Sequence, residues 1–505
     1  MDLQTTNRRI GLAQTIFDDF DERPVDCDFV LPDFLPDIAA IMKCTLHPTV
    51  QTYQISGDRL SVDGTVRIHI LYLDEERRCV RCFEHTQPFN SEFTVKGLTA
   101  DCMIALHAAP NYVNCRATGP RRVDIHGAFS VKLTVTGKTD TTVVETAEGD
   151  GLHTKSCAVR YTVPSMGVDK AFTLNEVLEL EGEDTAQTVI RYDARICLDD
   201  CKQLVGKAVV KGDLLLNTVY ITDTESGSMR CVKHRIPFSQ IVDVDGMDEN
   251  TLCDYRAEVL SAEVQPIQNP NGENRLLSVS VKVALHAQCY QTDACNVVCD
   301  AFHTQYPLNA PLCRLETQCM TEIRKETVTA RQTVALPDSS VAQVLDMWCA
   351  PLTVQVTDGT ITGRSTVCLL VRDESGTVSY FERPIDCELP MTVDGDCTVS
   401  ATLLDTEYTV SGEQIELRLQ IVIKTCPVAK QPIRAITDIQ MDETAPYPCA
   451  EGMETCQVKI LFANAGDSVW EIAKAEHVSP AHICEENELT EDTVQERTAL
   501  LIPLR

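Results

Sequence analysis

Apolar and polar residues alternate along most of the chain, and one alternating run is written three times. It reads Leu60-Ser-Val-Asp-Gly-Thr-Val-Arg-Ile-His-Ile-Leu-Tyr72, then Ala208-Val-Val-Lys-Gly-Asp-Leu-Leu-Leu-Asn-Thr-Val-Tyr220, then Gly359-Thr-Ile-Thr-Gly-Arg-Ser-Thr-Val-Cys-Leu-Leu-Val371. A period of two predicts a strand that buries one face. That face is Val62, Gly64, Val66, Ile68, Ile70 and Tyr72 in the first copy. It is Val210, Gly212, Leu214, Leu216, Thr218 and Tyr220 in the second, and Ile361, Gly363, Ser365, Val367, Leu369 and Val371 in the third. A glycine at one place on an otherwise apolar face implies a bend or the close approach of a neighbouring strand.

The three glycines stand 148 and 151 residues apart, a domain's length and far too long for a solenoid unit. The chain therefore reads as three copies of one β-rich domain. Each copy has a proline and a large apolar residue beyond the glycine (Pro88-Phe89, Pro237-Phe238, Pro384-Ile385), then a second alternating run. Those second runs are Val123, Ile125, Phe129, Val131 and Leu133, then Val279, Val281, Val283 and Leu285, then Ile415, Leu417, Leu419, Ile421 and Ile423. Leu31-Pro-Asp and Leu336-Pro-Asp precede the first and third strands, and Leu180-Glu-Gly is the counterpart in the second copy. The expected domains span residues 26–165, 166–320 and 321–425.

Two segments depart from alternation. Ile10, Ala13, Phe17 and Phe20 recur at helical spacing, so residues 1–25 are expected to form an amphipathic helix, either packed on the first domain or docking a partner. Pro427, Pro432, Pro446 and Pro448 punctuate residues 426–455, which read as a linker. Residues 456–505 then change texture. A short run, Val458-Lys-Ile-Leu-Phe462, precedes Gly466-Asp467, where Asp467 or Ser468 can cap a helix burying Val469, Trp470, Ile472 and Ala473. A second helix is expected from Ser479-Pro480 through Asn487, and Ala499-Leu-Leu-Ile-Pro503 closes the chain as a strand. The predicted order is β-α-α-β, and Trp470 is placed in its core.

The chain is long enough for three or four domains with cores of their own. Its net charge of −31 repels phosphate backbones, which argues against nucleic acid and favours a partner with a basic surface. Residues 457–505 carry nine acidic and four basic side chains, net −5. No apolar run is long enough to span a bilayer, and the opening residues lack the order of a secretory signal, so a cytoplasmic protein with mostly reduced thiols among its 24 cysteines is expected. Cys79-Val-Arg-Cys82 with His85 has zinc-like spacing but no second ligand pair, and Cys295, Cys299 and His303 make a weaker set. No phosphate loop, nucleophile elbow, metalloprotease helix or dinucleotide fingerprint occurs, so neither an enzyme nor a cofactor is expected. His69, His107, His126 and His286 fall in or near strands, as structural histidines do.

The C-terminal stretch resembles the LysM family in Gly466-Asp467, Trp470, Ile472-Ala473, Val478-Ser479, Asn487, Leu489 and the terminal Leu-Ile-Pro. That resemblance implies a shallow groove for N-acetylglucosamine glycans such as peptidoglycan, formed by Gly466, Asp467, Ser468 and Val469 on one side and Asn487, Leu489 and Thr490 on the other. Glu496-Arg-Thr498 stands where the family has a Pro-Gly-Gln-like turn. With this tail, the repeated strand and the Leu-Pro-Asp stretch resemble the SipL-like family of spore coat morphogenesis proteins. The resemblance implies a scaffold of the endospore coat, working in the mother cell at the forespore surface, with the ATPase stage IV sporulation protein A as partner. A peptidoglycan- or cortex-binding protein is the alternative. The whole is expected to be mainly β, three β-rich repeat domains followed by a small LysM domain.

Overall fold

Each alternating run becomes a long antiparallel strand in the computed structural model, which describes residues 3–99, 101–249, 251–336, 341–447 and 458–503. The first copy contains β1 (Gln4–Val30), β2 (Ile38–Ser56), β3 (Arg59–Asp74), β4 (Val80–Thr94), β5 (Met103–Ala117) and β6 (Arg122–Glu148). Its two sheets run β2-β3-β4 and β1-β6-β5. Because every strand is apolar on one face, the sheets close face to face over Leu60, Val62, Ile68, Ile125 and Phe129.

The second copy repeats the plan with β7 (Leu152–Glu179), β8 (Thr188–Leu204), β9 (Lys207–Asp223), β10 (Ser228–Asp243), β11 (Leu252–Ile267) and β12 (Leu276–His303), in sheets β10-β9-β8 and β11-β12-β7. The third is more broken. After β13 (Leu308–Asn309) come β14 (Leu312–Met320), β15 (Arg324–Ala335), β16 (Val341–Cys349), β17 (Thr353–Thr357), β18 (Thr360–Asp373), β19 (Val378–Thr392), β20 (Cys397–Ser411), β21 (Gln414–Ile436) and β22 (Gln440–Met441). There β16 and β17 share one edge of β18, and β14 and β15 lie in turn along β21.

The repeated glycines sit at the centre of equivalent sheets for a steric reason. Gly64 lies opposite Val50 and Phe89, Gly212 opposite Leu198 and Phe238, and Gly363 opposite Val354 and Cys387. A methyl group on Gly64 or Gly212 would overlap the carbonyl oxygen of Thr49 or Cys197. On Gly363 it would meet Leu352 Cδ1 at 3.1 Å and Cys387 Sγ at 3.3 Å. The Pro-Ile pair of the third copy is offset by two, so Ile385 faces Ser365 rather than the glycine. Ahead of each glycine strand, the leucines of the aligned tripeptides do the same work. The Leu31, Leu180 and Leu336 amides donate to the carbonyls of Arg121, Arg275 and Glu413. Residues 337 and 338 of the third tripeptide lie outside the described residues.

The copies do not hang as separate beads. Leu71, Val219 and Leu370, each seven residues past its glycine, point away from their own domain cores and meet with Leu73, Val80, Ile190, Ile221, Met229, Leu345 and Val378 in one shared core. Lys43, Arg191 and Asp346 stand opposite those three residues, each just after a bulge. Arg191 donates two hydrogen bonds to Asp346, at 2.8 and 3.0 Å, and lies 4.5 Å over the Trp348 ring. Lys43 pairs with Glu382 of the third copy.

Beyond the three sandwiches the longest strands continue as three two-stranded arms, β1 with β6, β7 with β12 and β14 with β21. The arms pack together through Ile10, Val143, Val159, Val297, Leu315, Ile433 and Ala435. This stalk overturns two expectations. Residues 4–25 are strand, not helix: Ile10 enters the stalk, Ile16 and Phe17 enter the first domain's core, and a bulge between Thr15 and Phe17 resets the alternation. Residues 426–436 are the end of β21, not linker, and residues 448–455 lie outside the described residues. Pro432 is tolerated because β21 has a neighbour on one side only at that point.

The described cysteines are mostly free thiols, as expected, with one exception: Cys253 and Cys289, directly opposed on β11 and β12 with Cα atoms 4.2 Å apart, form a disulfide. No helix among the described residues is long and apolar enough to cross a membrane.

Candidate functional site

The C-terminal module has the order β23 (Val458–Ala463), α1 (Val469–Glu476), α2 (Pro480–Glu486) and β24 (Thr498–Pro503). Gly466, at φ 91°, turns the chain out of β23. The Asp467 carboxylate accepts the Asn464 amide at 2.8 Å, which leaves Ser468 as the N-cap of α1, without a side-chain cap bond. His477 takes the left-handed conformation that stops α1, and Pro480 suits the first turn of α2. Val469, Ala473, Val478, Ile483, Val494, Leu500 and Ile502 close the core.

The residues assigned to a groove separate into three groups. Gly466, Asp467 and Ser468 line an open cleft of about 400 Å³ together with Leu461 of β23 and Glu471, Ile472, Ala475 and Glu476 of α1. Val469 is buried in the core at 1% exposure, so its side chain reaches no groove. Asn487, Leu489 and Thr490 lie outside the cleft. The first loop is instead zipped to residues 492–494: Gly466 donates to the Val494 carbonyl at 2.8 Å, Val494 to Asp467 at 2.9 Å and Val469 to Asp492 at 2.8 Å. Asn487 is a structural clamp, donating to the Ile483 and Leu501 carbonyls at 2.8 and 2.7 Å and accepting the Leu501 amide at 2.6 Å. Leu489 is half-buried against the core, and Thr490 is exposed. The cleft residues on α1 escaped the sequence reading, although Glu471 with Ala475 and Ile472 with Glu476 recur at i, i+4, the spacing of one helix face.

Trp470 packs on the module's core, as expected, but only in part. It is half-buried and also faces the stalk, where its indole N–H donates to Asp300 of β12 at 2.8 Å and its ring meets Phe302 edge-on at 5.1 Å. Lys474 donates to the other Asp300 oxygen at 2.6 Å, and His477 stacks on Tyr447 at 3.6 Å. Phe302, 4% exposed, belongs to the module's own core cluster. Partial burial raises the Asp300 carboxyl, yet the bonds from Lys474 and Trp470 outweigh it and hold the group below its usual range. The module is thereby fastened to the end of one stalk arm, with its cleft on a different face.

Other chemistry-bearing residues are occupied structurally. Cys79 lies in the shared core, the Cys82 thiol donates to the Val189 carbonyl and His85 packs on Phe29. Cys295 lines the stalk, Cys299 donates to Lys155 and His303 accepts the Gln305 and Tyr306 amides. Among the described residues no group of His, Cys, Asp or Glu is placed to hold a metal ion. A second cleft of about 290 Å³ opens between the second and third copies, but its charges are paired, Arg191 with Asp346, Arg195 with Asp193, Lys233 with Asp405 and Glu407 with Arg418 beside it.

Comparison with known families matches the model described as SipL, SPOCS domain, to residues 37–118 and 185–267. Those stretches cover the same four strands twice, β2 to β5 and β8 to β11. The third copy and the C-terminal module lie outside the matched residues. The same comparison with curated proteins and with solved structures gives no match.

Proposed function

We propose that this SipL-like chain, with its two SPOCS domains, is a non-enzymatic scaffold of endospore coat assembly that holds a partner protein through its C-terminal module. The observation that carries the reading is the fastening of that module. Trp470, Lys474 and Phe302 fix it to the stalk while the cleft beside Gly466, Asp467 and Ser468 stays open, so a partner captured there is held in a set direction relative to the three bundled domains. The cleft is acidic, with Asp467 and Glu471 against an apolar floor of Leu461, Ile472 and Ala475, which suits a basic protein surface better than a neutral sugar. Resemblance supplies the partner, stage IV sporulation protein A, and the place, the mother-cell side of the forespore.

The LysM resemblance keeps a second reading, a peptidoglycan-binding protein recognising N-acetylglucosamine. Binding of the purified full chain to stage IV sporulation protein A and to soluble peptidoglycan fragments, with and without residues 458–503, decides between them. Capture of the protein that needs the module and weakens with salt supports the scaffold. Capture of the glycan alone replaces it with the second reading.

A further inference from the structure

We propose that the outer edge of β23 is a strand-addition site, which takes an extended segment of the partner with basic and apolar residues in alternation. The proposal rests on the reading that the C-terminal module carries the partner.

The two edges of the β23-β24 ribbon are treated differently. On β24, the Leu501 amide and carbonyl both bond to the Asn487 side chain, so that edge is covered. The same bonds fix the pattern across the ribbon. Leu501 lies directly opposite Ile460, and since its backbone groups point away from β23, the pair is a non-hydrogen-bonded one. The N–H and C=O of Ile460 therefore point away from β24 as well, and by the period of two so do those of Val458 and Phe462. Among the described residues none of these groups has a backbone bond outside the ribbon. Exposed edges are ordinarily guarded by proline or an outward charge. β23 has no proline, and its one charged residue, Lys459, is turned to the helix side and bound to Glu476 at 2.6 Å.

Both surfaces flanking this edge match one kind of segment. On the outer face, Val458, Ile460 and Phe462 are 45%, 61% and 75% exposed, next to exposed Leu501. On the inner side lies the cleft with Leu461 and the carboxylates of Asp467 and Glu471, Glu476 being already paired with Lys459. An added strand sends alternate side chains to these two sides, apolar ones over Ile460 and Phe462 and cationic ones toward the carboxylates. A second copy of the chain is disfavoured, because each copy carries −31 and the module itself −5.

The test uses the full chain and a labelled peptide of alternating valine and lysine, six residues long like β23. It should bind, while a valine-glutamate peptide and an N-methylated valine-lysine peptide, which keeps its charges but cannot pair, should bind at least about tenfold more weakly. Residue-resolved hydrogen exchange should slow at the Ile460 and Phe462 amides, while Lys459 and Leu461, already paired with β24, should change little. Ile460→Lys and Phe462→Lys, both at exposed positions, should each lower peptide affinity and capture of stage IV sporulation protein A by about tenfold with the melting temperature unchanged. Equal binding of the N-methylated peptide, or exchange protection confined to α2, overturns strand addition. If both lysine variants capture the partner normally while loss of residues 458–503 abolishes capture, the edge assignment falls and the scaffold reading stands. If that loss has no effect, the scaffold reading itself falls.

Discussion

Replacing Asp300 by alanine should loosen the docking of the C-terminal module on the stalk, while Phe302 keeps its place in the module's core. The carboxylate accepts the Trp470 indole N–H at 2.8 Å and the Lys474 ammonium at 2.6 Å, from a half-buried position. A hydrogen bond to a charged group contributes about 1.5 to 3 kcal/mol when buried, and Lys474 regains water when released, so the pair together is worth about 2 kcal/mol. That is about thirtyfold in the ratio of docked to undocked module. Trp348 and Trp470 are the only tryptophans, so in a Trp348→Phe background the emission reports Trp470 alone. Asp300→Ala should shift that emission to longer wavelength and speed amide exchange in residues 469–476. The docking should also depend on pH in one direction. The folded carboxyl lies below its ordinary value, so its contribution is full above about 3.9, the unfolded value, and is lost as pH falls through the folded value. Unchanged emission and exchange in the alanine variant would show that the Asp300 contacts do not hold the module.

Gly212→Ala should lower the unfolding free energy by about 1 to 3 kcal/mol in urea titration, since the methyl meets a backbone oxygen, while Gly363→Ala should cost less because it meets only the Leu352 and Cys387 side chains. Asp346→Ala should cost about 3 to 5 kcal/mol by leaving Arg191 buried and uncompensated, whereas Arg191→Met combined with Asp346→Leu should come close to wild-type stability by calorimetry. The His286 imidazole is raised to about 9 by Asp169 first and Glu258 second, so its contribution is full below about 6.5 and vanishes as pH rises through 9. His286→Gln should therefore lower the melting temperature at pH 6 and leave it unchanged near pH 10.

What was missed along the chain had particular physical causes. The N-terminal segment looked helical because one strand serves two cores in succession and a bulge between them breaks its period. The shared core between copies does have a signal in the sequence. Ile70-Leu-Tyr-Leu73, Val219-Tyr-Ile221 and Leu369-Leu-Val371 are apolar on both faces, and a strand that buries both faces needs a second neighbour. For the candidate site, the first loop was legible through Gly466 and Asp467, whereas Asn487 was read as a groove residue and is an edge clamp. An asparagine after a helix has the same appearance in sequence whether it caps a strand edge or meets a ligand.

Local alternation by itself determined the strands, the repeated glycine face and the β-α-α-β order of the tail, because period and turn chemistry act over a few residues. Only the tertiary structure decided that the three copies share a core, that their long strands bundle into a stalk and that Trp470 bonds to Asp300 on that stalk as well as packing on its own module. Those contacts join residues more than a hundred positions apart. Nothing in the spacing of a single chain encodes which apolar surface meets which, since burial is indifferent to partner and direction until the surfaces are brought together.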